Sequence, residues 1–300
     1  MSSHFLRKPG VASLVAATLF IALGAGADTV KSTSSGSSTT RQERLAGKRG
    51  PAAQVYTVDD SSAAANELLT YTRGDYGGLD NFTAIAGARY YVTYTIPGPE
   101  GATVRTWTES HMVWFHERPR VRIDNATDST VVVVTGDTTY VRRDGKWSSD
   151  SLVVAEGRAQ AMDAHWFLHL PWNLLNPALK RRLDPPWVKD GPLGVRVEYA
   201  ANQDRPAGTR MWVNFTPPTY AIRTLRWFDP RSQSWYLLEL SQDQKRYQWT
   251  WAGHRTLRAS DSDGKPGPVV LEAQIEDMQL ESTMPNEVLS PPGGVAVVAR

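Results

Sequence analysis

Apolar residues recur with a period of two over most of the chain, a spacing typical of strands buried on one face. From about residue 88 onward, segments rich in Tyr, Val, Thr and Trp alternate with polar positions and end in short polar turns. Turns are expected at Gly136-Asp137, as a two-residue hairpin, and over 229–232, 241–245 and 260–264. The pattern predicts strands over residues 88–96, 103–115, 131–135, 138–143, 193–200, 209–215, 221–228, 234–240, 246–251 and 269–280.

Two segments show helical spacing instead. Polar residues at 59–62 offer N-cap side chains for a short helix that runs through Leu69 and ends near Gly74. A longer helical interval covers residues 151–175, and Pro171 is expected to kink or end it. Because wide antiparallel sheets tend to curl, we predict a mainly β fold with some α. Its curled antiparallel sheet would form an unclosed half-barrel, covered by a helical lid.

The first 50 residues show neither the strand period of two nor the spacing of an amphipathic helix. Residues 1–27 contain two basic residues, then a short apolar run, then Ala25-Gly26-Ala27, which together indicate a cleavable signal peptide. The apolar run is shorter than the roughly 20 residues of a membrane-spanning helix. We therefore expect cleavage after Ala27 and release into the periplasm. Residues 28–50 are rich in Ser, Thr, Lys and Arg and are predicted to form a disordered linker. Residues 51–300 then form a single half-barrel domain.

Composition narrows the possible chemistry. The chain has 33 basic and 31 acidic residues. Removing Arg7 and Lys8 with the signal leaves 31 of each sign, so a nucleic-acid partner is not indicated. With Cys 0, thiolate nucleophiles, disulfides and cysteine-based zinc sites are excluded. The sequence also lacks the common nucleophile-elbow, phosphate-loop and zinc-protease motifs. We therefore predict neither an enzyme nor a cofactor.

The strongest candidate for a metal site is the pair His165 and His169, four residues apart on the predicted helix. A metal site needs more ligands than two, and no third ligand follows at a suitable spacing. We favour the interpretation that these histidines hydrogen-bond locally where the helix meets the sheet.

Aromatic residues are more informative, because the chain contains 11 Trp and 11 Tyr. On successive strands they alternate with polar residues, which predicts one apolar sheet face. Two interpretations remain open, a packed core under the helix or a cavity for an apolar ligand; the width of a curled sheet favours the cavity. Its expected lining is Trp166, Phe167, Leu168, Trp172, Val213, Phe215, Leu225, Trp227, Trp235, Leu237 and Trp249.

Two arginines, Arg223 and Arg226, lie within apolar strand sequence. We favour ion pairs with Glu239 or Glu198 on neighbouring strands, the common outcome for strand arginines. The alternative is that they contact the anionic head group of a lipid at the rim of the cavity.

The order of these segments resembles the LolA/LolB-like superfamily of periplasmic lipoprotein-sorting proteins. The resemblance covers about residues 57–291. It rests on the opening helix ANELLTYTRGDYGGLDNF, the central HWFLHLPWNLLNP, the strand pair RTLRWFDPRSQSWYLLEL and the closing PNEVLSPP. It implies a half-barrel with a helical lid over an apolar cavity that takes acyl chains.

Three functions follow from these observations. The favoured one is a monomeric, non-enzymatic carrier whose partners are lipid, acyl chains or lipoprotein, and which could also meet envelope membrane proteins. The alternative is an envelope sensor or scaffold that uses the same fold for protein contact, with a filled barrel and an exposed aromatic patch. The third is a hydrolase, which would require clustered carboxylates or a bound metal.

Deleting residues 28–50 should change the melting temperature by less than a few degrees, because this segment has almost nothing apolar to bury. A few degrees corresponds to about 1 kcal/mol for a domain of this size. Thermal unfolding of the deletion variant beside the full mature chain measures the difference. A larger drop would show that the segment packs on the domain.

Overall fold

The computed structural model describes residues 61–116, 118–170, 172–176, 179–183, 193–198, 210–216, 220–229 and 232–289. The expected signal peptide and linker lie outside these residues. Within them, thirteen strands form one antiparallel sheet. They are β1 Gly87–Pro97, β2 Thr103–Trp114, β3 Arg120–Asn125, β4 Thr130–Thr135, β5 Thr138–Arg143, β6 Lys146–Trp147, β7 Lys180–Leu183, β8 Leu193–Glu198, β9 Arg210–Thr216, β10 Ala221–Asp229, β11 Ser234–Arg246, β12 Trp249–Ser260 and β13 Pro266–Glu281.

The sheet has two free edges and is not closed. Its order is β6-β5-β4-β3-β2-β1-β13-β12-β11-β10-β9-β8-β7, so the first and last strands pair in the middle. The predicted unclosed antiparallel half-barrel is therefore confirmed. Three α-helices accompany it, α1 Ser61–Asp75, α2 Gly78–Ala84 and α3 Ser151–Leu168, with short 3-10 turns at Pro99–Gly101, Trp172–Leu175 and Glu287–Leu289. Among the described residues, no helix has the length and apolar character needed to cross a bilayer.

Two helices cover different parts of the concave face. On α1, Leu68 and Leu69 are buried against an apolar core that also contains residues of β8 to β13, and the helix packs on β7 and β10. The longer α3 packs on β2 to β5 through a face that includes Ala161 and Leu168. Asp150 caps the start of α3, since its side chain accepts a hydrogen bond from the Leu152 amide. The middle of the sheet lies between the two helices.

Several local expectations were wrong. The polar stretch 241–245 lies within β11, and the hairpin turns instead at Tyr247 and Gln248, whose φ angles are 49° and 66°. A type I′ turn needs positive φ at both central positions and usually carries Asn or Gly, so Tyr-Gln gave no turn signal. The helix α2 and the strand β7 also escaped prediction because each is short, and β3 did so because Val121 and Ile123 are its only apolar residues. The hairpin turn at Gly136-Asp137 is confirmed.

A close approach between α3 and the sheet depends on Gly157. A Cβ atom at this position would lie 2.5 Å from Val141 Cγ2 and 3.3 Å from Val132. Helix and strands therefore meet at a distance that only glycine permits.

Replacing Gly157 with Ala should lower the free energy of unfolding by about 1–3 kcal/mol, as overpacking does. Helix propensity alone predicts the opposite sign, a gain of about 0.5–1 kcal/mol. Urea unfolding measures the change. Adding Val141→Ala should partly rescue Gly157→Ala, which a double-mutant cycle detects as favourable coupling. A more stable Gly157→Ala variant would contradict the close contact.

Candidate ligand cavity

A cavity of about 550 Å³ lies between α3 and the concave face of the sheet. Val132 on β4 and Trp227 on β10 both line it, although these strands stand seven positions apart in the sheet. The sheet must curl for two such distant strands to face one space. The volume falls within the range of about 300–1,000 Å³ that is usual for small-molecule sites.

One half of the cavity is apolar. Trp227 of β10, Leu238 of β11, Leu257 of β12 and Leu271 of β13 contribute its sheet wall, and Phe167 of α3 faces them. These side chains follow the sheet alternation, because the register pairs Leu238 with Leu257 and Leu257 with Leu271. Such a wall can bind a hydrocarbon chain but offers it no hydrogen bond.

The other half contains a buried hydrogen-bond network around Glu109. Its carboxylate accepts from Gln160 Nε2 at 2.9 and 3.0 Å, from Trp107 Nε1 at 2.9 Å and from His111 Nε2 at 2.9 Å. His111 Nδ1 lies 3.3 Å from the Tyr90 hydroxyl. Because Gln160 belongs to α3 and Glu109 to β2, the network ties the helix to the sheet beside the cavity. Both carboxylate oxygens are engaged, which suits a structural tie better than a general base.

Ion pairs flank the polar half. Arg105 bonds both carboxylate oxygens of Asp128, at 2.6 and 2.5 Å, and Arg143 lies 3.5 Å from Glu156. All four side chains line the cavity and are 30–51% exposed, so the cavity opens to solvent beside these ion pairs. Exposed pairs of this kind contribute little to stability, but they make the mouth polar.

Sequence reasoning missed the charged residue in the apolar half, Arg255 on β12. The period-two pattern contains it, since Trp249, Trp251, Arg255 and Leu257 occupy alternate positions of one strand. The same test applied to β2 would have found Glu109. An ionisable residue among the apolar, inward-facing positions of a strand could therefore have been identified from the sequence as a candidate site residue.

Of the predicted lining residues, Phe167 and Trp227 reach the cavity. Their contact with a ligand stays a prediction. Others on the concave side lie in packed core instead: Trp166, Leu168, Val213, Phe215 and Leu225. The concave face was predicted correctly for Val213, Phe215 and Leu225. However, α1 and the Trp172–Leu175 turn fill the space over β8 to β10.

Trp172 and Trp249 belong to an aromatic cluster rather than to the cavity wall. Their ring centroids are 4.6 Å apart, and Phe82 of α2 stacks on Trp172 at 4.6 Å. Phe115 stacks on Trp249 at 4.7 Å. These rings fill the concave side where α2 and β12 meet.

Trp235 and Leu237 lie on the outer face, so the prediction that they share a face with Trp227 is wrong. Trp227 pairs with Tyr236, which shifts the inward positions from odd numbers on β10 to even numbers on β11. Leu238 consequently faces the cavity, where Leu237 was expected.

Neither predicted head-group arginine reaches the cavity. The Arg226 guanidinium lies 4.8 Å from the Trp212 ring and 5.4 Å from the Trp235 ring, on the outer face. Arg223 forms an ion pair at 2.7 Å, as favoured, but with Asp243 rather than with either predicted glutamate. The head-group alternative is therefore not supported for these two residues.

The two histidines of α3 do come together. The His165 and His169 rings stack with centroids 3.9 Å apart, and His169 contacts the carbonyl oxygens of His165 and Phe115. Local hydrogen bonding is thus confirmed for His169. Among the residues that the structure describes, no group of three His, Cys, Asp or Glu could hold a metal ion. Burial lowers the pKa of both rings, and the charge of His169 lowers that of His165 further. For His169, the hydrogen bonds to the two carbonyl oxygens oppose the effect of burial, and His116 adds to it.

An unclosed antiparallel half-barrel with helices over an internal cavity defines the LolA-like class of fold. The chain matches no protein-family model and no curated protein sequence. A DUF1329-family protein from Desulfovibrio piger matches with a TM-score of 0.54 at 9% identity, over 77% of this chain and 98% of that one. A LolA-superfamily protein from Nitrosomonas europaea matches with a TM-score of 0.52 at 10% identity, over 76% of this chain and 97% of that one. The fold is LolA-like, as the resemblance implied.

Stability should fall on acidification because of the histidine pair. The folded pKa of His165 and His169 is below the unfolded value of about 6.5, so the unfolded chain takes up protons first. Their contribution is fully present above pH 6.5 and is lost as the pH falls toward the folded pKa. Each residue contributes up to about 1.4 kcal/mol per pH unit.

Urea unfolding at pH 7.5 and 5.5 measures this loss. The double variant His165→Gln/His169→Gln should lose less stability between the two pH values than the wild type. His254→Gln, on the outer side of β12, serves as the control and should behave like the wild type. Equal losses in all three proteins would contradict the assignment.

Proposed function

We propose that this chain is a periplasmic, non-enzymatic carrier that binds an acyl chain in the cavity between α3 and the sheet. The observation that carries the proposal is the apolar wall built by Trp227, Leu238, Leu257, Leu271 and Phe167 in a space of about 550 Å³. The LolA-like fold supports it, because carriers of lipoprotein use this architecture. The signal-peptide pattern of residues 1–27 supports export to the periplasm.

The shape of the site suits an amphiphile. A polar mouth formed by Arg105, Asp128, Arg143 and Glu156 leads to an apolar interior. Transfer of hydrocarbon from water to such an interior is favourable in proportion to the buried area. We expect lipid or the acyl part of a lipoprotein as the partner.

The alternative, a sensor or scaffold for protein contact, has one observation in its favour. The outer cluster of Trp212, Arg226, Phe228 and Trp235 is half-buried on the convex face, and Trp and Arg are common in interface hot spots. That alternative, however, requires a barrel filled by its own side chains. The cavity favours the carrier.

Blocking the cavity should abolish binding. Ala164 of α3 is buried and lines the cavity, so Ala164→Trp places an indole in the ligand space. Ala155→Trp makes the same change at an exposed position of the same helix. Titration of delipidated protein with saturated fatty acids, followed by Trp fluorescence, should show at least tenfold weaker binding for Ala164→Trp alone.

Chain length gives an independent check with the wild type. Each buried methylene contributes about 0.8 kcal/mol, so the dissociation constant should fall about fourfold per methylene until the cavity is full. The absence of any saturable response to fatty acids would overturn the carrier function. A response that Ala164→Trp leaves unchanged would place the ligand elsewhere.

A further inference from the structure

The charge in the apolar half of the cavity has an unusual setting. Arg255 stands in a cross-strand row with Leu240 on one side and Ala273 on the other, and Tyr94 follows beyond Ala273. Ala273 is the smallest side chain of the row, and it leaves room for its two long neighbours. The Arg255 guanidinium lies 5.3 Å from the centre of the Phe167 ring on α3. Its remaining accessible surface faces the cavity.

Arg255 has no acidic partner among the described residues. The other two arginines of the cavity wall do, since Arg105 is paired with Asp128 and Arg143 with Glu156. The nearby carboxylate of Glu109 is occupied by its own donors. Among the described residues, the Arg255 guanidinium lies over the Phe167 ring, and the Tyr90 and Tyr94 phenols are close enough to affect its pKa.

Such an arrangement is costly without a ligand. Arg255 is half-buried, and a charge that loses part of its hydration is normally compensated by a counterion or by hydrogen bonds. Burial lowers the pKa of Arg255, and the Tyr90 and Tyr94 phenols only partly oppose this effect. Burial also raises the pKa of both phenols, so they remain protonated and can donate hydrogen bonds. The Tyr90 O–H is engaged with His111 Nδ1. The five N–H donors of the guanidinium and the Tyr94 O–H therefore stand around one apolar space.

We propose that Arg255 binds the anionic head group of the cavity ligand, with the Tyr94 hydroxyl beside it. This inference rests on the proposed carrier function and specifies its ligand class. The ligand is a single-chain amphiphile whose head group is a carboxylate or a phosphate, the anions that a guanidinium fork binds best. The adjoining wall of Trp227, Leu238 and Leu257 takes the hydrocarbon chain.

The test compares three probes with the same sixteen-carbon chain: hexadecanoate, hexadecyl phosphate and hexadecanol. Delipidated mature protein is titrated with each, and Trp fluorescence gives the dissociation constant. The wild type should bind at least one of the two anions about 10- to 100-fold more tightly than the alcohol, as expected for a hydrogen bond to a charged group. The anion that gains more identifies the head group.

Arg255→Gln should remove this preference, because the two anions should lose at least tenfold more affinity than hexadecanol does. Arg223→Gln is the matched control, because Arg223 is paired with Asp243 and does not line the cavity. It should keep the wild-type preference. The ligand-free Arg255→Gln protein should melt at or above the wild-type temperature, since an uncompensated charge has been removed.

The outcomes separate the two proposals. Equal affinity of the wild type for the anions and the alcohol would overturn the head-group inference but leave the acyl-chain carrier intact. Failure of all three probes to bind would overturn the carrier function itself. A preference for anions that survives in Arg255→Gln would overturn the assignment to Arg255. The wild-type comparison decides the ligand class even if the variant does not fold.

Discussion

The whole structure depends on the width of one sheet that curls but does not close. Thirteen antiparallel strands present a concave face too wide for one helix to cover. α1 and α3 each bury one part of it, and the core under each is tightly packed. The space left between α3 and the middle of the sheet is the cavity. The cavity in this fold is thus a consequence of incomplete coverage rather than of a specialised motif.

Polar groups within that space follow a simple electrostatic rule with one exception. In a low-dielectric interior, each charge needs partners, and Glu109 has five hydrogen bonds from four side chains. The arginines at the mouth have carboxylates beside them. Arg255 departs from the rule, and a ligand with an anionic head would restore it. In that proposal, the unpaired charge of Arg255 destabilises the protein with an empty cavity, and the same charge makes the cavity prefer an anionic ligand.

Short elements and turns without glycine explain most of the errors of local prediction. Tyr247 and Gln248 adopt positive φ angles, although neither residue type is typical of such turns. The strands β3 and β7 and the helix α2 are held by their neighbours, because segments of this length have little intrinsic stability. Phe82 of α2 nevertheless anchors the aromatic cluster with Phe115 and Trp172. Tertiary contacts, which the local pattern does not contain, stabilise these pieces.

The sequence by itself determined the class of fold, because alternation with a period of two is a local property of each strand. It also marked inward positions within a strand, as at Trp249, Trp251 and Arg255 of β12. Only the tertiary structure decided which positions of neighbouring strands share a face. A hairpin register shifted by one residue turned Trp235 outward and Leu238 inward. Which inward residues meet a cavity and which meet a helix was likewise settled by packing, since that choice depends on elements far apart in the chain.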